Sequence, residues 1–77
     1  MEKEAPPRVQ RTQVASSNIQ SIGYHPPTQT LEVEFLSGRI YQYFDVPETV
    51  YQAFMEASSK GRFLASGIKG AYRYARL

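Results

Sequence analysis

QTLEVEFLSGRIYQYF, residues 29–44, is the stretch that decides the fold. Leu31, Val33 and Phe35 alternate with Thr30, Glu32 and Glu34, the period of a strand with one buried face. Ile40-Tyr41-Gln42-Tyr43-Phe44 is rich in β-formers and reads as the return strand. The loop between them sets the register. A two-residue loop, Ser37-Gly38, pairs Phe35 with Ile40 and puts Tyr41 and Tyr43 beside Glu34 and Glu32. A three-residue loop, Leu36-Ser37-Gly38, gives Gly38 the left-handed position of a bulged hairpin. Val33 then faces Tyr41, and Leu31 faces Tyr43. The second register is favoured, because Ser-Gly is a poor two-residue turn. It makes the tyrosines core-facing.

Upstream, Ser17–His25 admits two readings. Ser17 with Gln20 resembles a helix-capping box, but Pro26 and Pro27 leave such a helix no length. The favoured reading is a strand. Ile22 and Tyr24 share a face, while Ile19 is out of phase and needs a bulge or turn. His25-Pro26-Pro27-Thr28 is then a turn. Residues 1–12 are polar and hold two prolines, so they read as a flexible N-terminal arm ahead of a single domain at 13–77.

Downstream, Pro47 opens a main helix at about 47–57, where a proline loses no hydrogen bond, and Glu48 suits the helix dipole. Val50, Phe54 and Ala57 form its apolar stripe, with Tyr51 and Met55 beside it. Ser58 and Ser59 end it. Residues 60–69 suggest a short second helix with Phe63, Leu64 and Ile68 on one face, and 71–76 read as a final strand or an extended tail. The expected fold is α+β: an antiparallel sheet of three to four strands with both helices packed on one face. Strand order stays open.

Composition narrows the function. Seventy-seven residues make one domain with a thin core. The chain has no Cys and one His, which removes disulfides, thiolate metal sites and most catalytic constellations. That favours a cytoplasmic protein, and nothing in the sequence calls for a cofactor or a metal. No apolar run approaches the roughly 20 residues of a membrane span. His25 reads as a turn histidine. Glu32 and Glu34 share a strand face, but on an exposed strand they read as solvent-side charges, not as an acid–base pair. The expectation is therefore no enzyme and no catalytic residue.

Several residues in order form a further pattern. They are Ser16-Ser17-x-Ile19, Tyr24, Leu31-x-Val33-x-Phe35 with Gly38, Tyr41-x-Tyr43 and Val46-Pro47. Ala57-x-Ser59-x-Gly61, Phe63-Leu64, Ile68 and Tyr72 complete the set. Over about residues 14–74 the chain resembles the KTSC domain, a family found at the C-terminus of some lysyl-tRNA synthetases and as small stand-alone bacterial proteins. The resemblance implies an uncharacterised domain for which RNA binding is suggested by the synthetase context. Ala65 stands where the family commonly has Asn, Lys69 where it has Arg, and His25 where it has Asp. Lysine does not reproduce a bidentate guanidinium.

Two functional readings follow. Residues 58–77 carry Lys60, Arg62, Lys69, Arg73 and Arg76 and no acid, interleaved with Tyr72 and Tyr74. That is the composition of a surface where cations meet phosphates and rings stack on bases, as in transfer RNA or single-stranded RNA. The other reading is a protein-interaction module, docking on an acidic protein surface or pairing an open sheet edge as a weak homodimer. Tyr41 and Tyr43, the family motif, read as structural.

Overall fold

The computed structural model describes residues 8–77. Leu36–Gly38 adopts the three-residue turn: Gly38 takes φ 94° and donates its N–H to the Phe35 carbonyl at 2.8 Å. A side chain at that φ is strained, so glycine is required. Strands β3 (Thr30–Phe35) and β4 (Ile40–Tyr43) therefore pair Val33 with Tyr41 and Leu31 with Tyr43. Strand β2 (Ile19–His25) flanks β3 on its other side, with Ile22 opposite Val33 and Tyr24 opposite Leu31. A register shift between Ile19 and Ser21 brings Ile19 back to the core, which is the bulge its spacing required.

The sheet has five antiparallel strands in sequence order, with β1 (Arg11–Gln13) and β5 (Tyr74–Arg76) at its edges. This corrects the expected three to four strands. The extra strand is β1, whose sequence Arg-Thr-Gln has no apolar alternation to betray it. The first seven residues of the expected flexible arm lie outside the described residues. From Arg8 the chain is held against the sheet, so the arm does not extend through residue 12.

Helix α1 (Glu48–Glu56) packs against β2 and buries Phe54, with Val46 beneath its start. Pro47 is its cap and not its first helical residue. Tyr24 ties the two layers. Its ring stacks on Tyr51 at 4.9 Å, and its hydroxyl donates to the Val46 carbonyl at 2.5 Å. Burial first, and then the charge of Glu48, push the Tyr24 phenol above its ordinary pKa, so it stays a donor. Helix α2 (Lys60–Phe63) begins at Ser59, whose Oγ accepts the Arg62 N–H at 3.3 Å. It widens into a π-helical turn, Leu64–Ile68, closed by Lys69 N–H to the Leu64 carbonyl at 2.8 Å. Leu64 and Ile68 complete the core.

The face of the sheet away from the helices corrects a second expectation. Glu32 is not a solvent-side charge; it is fully buried. The Arg11 guanidinium bonds to it directly, Arg8 reaches it at 3.3 Å, Gln42 Nε2 donates at 2.8 Å and the Val9 N–H at 3.3 Å. Arg11 Nε also donates to Ser21 Oγ at 2.8 Å, and Ser21 Oγ donates to Glu34 at 2.8 Å. The pairing Arg11–Gly23–Glu32–Gln42 across four strands brings these groups into one row. Gly23 lets the N-terminal segment cross closely, since a Cβ there would lie 2.2 Å from the Gln10 carbonyl oxygen. Val9 is buried over this row.

Burial alone pushes the Glu32 carboxyl up. The hydrogen bonds from Gln42, Arg8, Val9 and Arg11 outweigh it and hold the group below its ordinary range. A carboxyl with a lowered folded pKa contributes stability above its unfolded value, and that contribution is lost as pH falls through the folded one. Two results are expected in urea denaturation. Glu32→Ala costs about 3 kcal/mol at neutral pH, because it strands the buried end of Arg11. The wild-type midpoint falls steadily below about pH 4, and Glu32→Gln flattens that fall. An unchanged pH profile in Glu32→Gln would show that the carboxylate does not hold the face together.

Candidate nucleic-acid interface

Hairpin register puts Arg39, Tyr41 and Tyr43 on the helix side of β4, and β5 adds Tyr74 opposite Tyr43 and Arg76 opposite Tyr41. The helical layer leaves part of this end of the sheet open. Tyr41, Tyr43, Tyr74, Phe35, Arg39 and Lys69 line a cleft of about 660 Å³, floored at one end by Ser17 and Asn18. The rings are held against one another. Tyr41 and Tyr43 stack at 6.3 Å, Tyr74 lies 5.6 Å from Tyr41 and 6.0 Å from Tyr43, and Phe35 meets Tyr41 edge-on at 5.7 Å. Lys69 Nζ sits 6.0 Å over the Phe35 ring. No acidic residue lines the cleft.

The tyrosines divide the structural and exposed roles between them. Tyr43 is 3% exposed, Tyr41 is half-buried and Tyr74 is 62% exposed. Burial, and then the neighbouring Tyr41 and Tyr74 phenols, raise the Tyr43 pKa, so it remains a neutral hydrogen-bonding group. The core-facing register is found, and the open end of the same face makes Tyr41 both core neighbour and cleft wall.

The basic residues singled out in the sequence do not form one patch. Lys69 and Tyr74 line the cleft. Tyr72 and Arg73 border an adjoining depression with Phe44, where Arg73 pairs with Asp45 at 2.7 Å and lies 5.7 Å from the Phe44 ring. Lys60 donates to the Ala57 carbonyl at 2.7 Å, at the end of α1. Arg62 is exposed on α2, and Arg62 and Arg76 line neither depression. Arg39 was missed. Its signal lay in the hairpin, because period two from Tyr41 puts Arg39 on the tyrosine face. His25 hydrogen-bonds Thr28 Oγ1 at 2.9 Å within its turn.

The KTSC domain family model matches residues 15–72. The chain belongs to the KTSC domain family. It is 46% identical over 70 residues to an uncharacterized protein of Stutzerimonas stutzeri, covering 90% of this chain and 99% of that one. It is 48% identical over 61 residues to a lysine–tRNA ligase of Nostoc sp., covering 79% of this chain and 11% of the ligase. The crystal structure of a KTSC domain protein from Yersinia pestis superposes with a TM-score of 0.85 at 46% identity, over 91% of this chain and 99% of that one. The KTSC motif Tyr41-x-Tyr43 is thus the inner wall of the cleft. Ser59 is the α2 cap, and Gly61 is where α2 comes close to Asn18, 2.8 Å from a Cβ position to Oδ1.

Chemical denaturation separates the roles of the two motif tyrosines. Tyr43→Ala is expected to cost about 3 kcal/mol or more, as for a buried ring. Tyr41→Ala should cost less than half as much and leave the domain folded at room temperature. Equal losses would mean that Tyr41 is as much a core residue as Tyr43.

Proposed function

We propose that this KTSC domain is a non-catalytic module that binds single-stranded RNA in the tyrosine cleft. The observation that carries the reading is the convergence of aromatic rings with Arg39 and Lys69 in a cleft without acids. Rings stack on any base, and cations at the rim meet the phosphates, so the arrangement suits a single strand. Lysine–tRNA ligases with a similar stretch act on a transfer RNA, which makes RNA the first polyanion to test. This chain spans 11% of that ligase, so the likeness does not carry aminoacylation with it.

Other observations weigh against the alternatives. A general acid needs a carboxyl kept protonated, and Glu32 is held the other way. Pairing through a sheet edge is poorly supported, because both edge strands have three residues. A cytoplasmic location fits the absence of cysteine. No helix among the described residues is long and apolar enough to cross a membrane.

An NMR amide titration with octauridylate tests the reading. Shifts are expected at Arg39, Tyr41 and Lys69 through Tyr74. With about three phosphates neutralised, log K should fall with log salt at a slope of about −2. Arg39→Ala and Lys69→Ala should each make that slope shallower. Shifts confined to Lys60 and Arg62, or a response indifferent to salt, would discard the cleft as the RNA site. An acidic polypeptide that binds the same cleft and is not displaced by RNA would favour a protein partner.

A further inference from the structure

The cleft has a neighbour. A depression of about 550 Å³, bordered by Phe44, Tyr72 and Arg73, shares Gly70 and Tyr74 with it. We propose that the two form one track for two consecutive nucleotides of a single strand, with one base on each side of Tyr74. The inference rests on the RNA reading above and goes further, because it sets the unit that the domain recognises.

Each half has what one nucleotide requires. Both volumes fall within the roughly 300–1,000 Å³ of small-ligand sites. The first offers Tyr41 for a base and Lys69 for a phosphate; the second offers Tyr72 and Arg73. The two halves are one side chain apart, which is the separation of neighbouring bases and leaves no room for independent ligands. Tyr74 is a fixed divider: its ring packs on Tyr41 and Tyr43 while most of it stays open to solvent.

Gly70 forms the saddle between the halves. It takes φ 81°, and no atom lies within 4 Å of where its Cβ would be. The backbone can therefore pass between the two bases without meeting a side chain. Arg73 is available there despite its partner. Its ion pair with Asp45 has side chains 76% and 71% exposed, and such pairs contribute little. A phosphate that bridges the two nucleotides can draw the guanidinium away from Asp45. Neither lining contains an acid, so an anionic strand meets no opposing charge along the track.

The test compares UMP, UpU and octauridylate by amide titration, on the wild type and on Tyr72→Leu. Leucine keeps apolar bulk at position 72 but offers no ring to stack on. The dinucleotide should bind the wild type about tenfold or more tighter than UMP, as one added stacked base implies. Tyr72→Leu, checked for an unchanged melting temperature, should bring UpU down to the level of UMP and leave UMP itself unchanged. If UpU binds no tighter than UMP, or if octauridylate shifts the amides of one depression alone, the track is overturned and the RNA reading stands. If octauridylate shifts no amide in either depression, both fail together.

Discussion

The turn at Leu36–Gly38 determines what each side of the sheet becomes. Its three residues set the pairing of β3 with β4, and side chains alternate along both strands. A slip of one residue would exchange the faces. The tyrosines would go to the outer side, and Glu32 and Gln42 would be driven under the helices. The positive φ of Gly38 is the local feature that prevents this, and the helix packing, the polar row and the cleft are all built on its register.

The outer face is an uncommon solution for a small domain. A five-stranded sheet with helices on one side leaves a wide surface facing water. Here part of that surface is closed by residues 8–13, and the closure is made with a buried charge and its partners instead of apolar side chains. Such an arrangement contributes less net stability than hydrophobic packing of the same volume, but it accepts only one partner geometry. The row fixes where β1 lies, and Gly23 sets how closely the chain ahead of it approaches.

Much of the centre of the fold was legible because it obeys simple periods. The β3–β4 register, the bulge at Ile19, the apolar stripe of α1 and the cap at Ser59 each follow from residues within a few positions of one another. The first strand was not legible, since Arg-Thr-Gln holds its place through Glu32, some twenty residues away, and through main-chain pairing. The burial of Glu32 was missed for the same reason: alternation puts it outside the core but cannot say that another segment covers it. At the candidate site, Lys69 and Tyr74 were identified from local composition, which also gathered Lys60 and Arg62 although they lie elsewhere. Arg39 belongs to the tyrosine face through the hairpin, a relation that composition does not express.

The sequential order of the strands has a consequence for synthesis. Every strand pairs with the one made just before it, so no segment waits for a distant partner, and loop closure is inexpensive throughout. As the chain leaves the ribosome, the charged row linking Arg11, Glu32 and Gln42 is assembled first, then the helical layer. Only afterwards does the edge bearing Tyr74 dock against Tyr43. The surface offered to a ligand is thus the last part of the domain to exist, and a nascent chain can be almost wholly folded before it is able to bind.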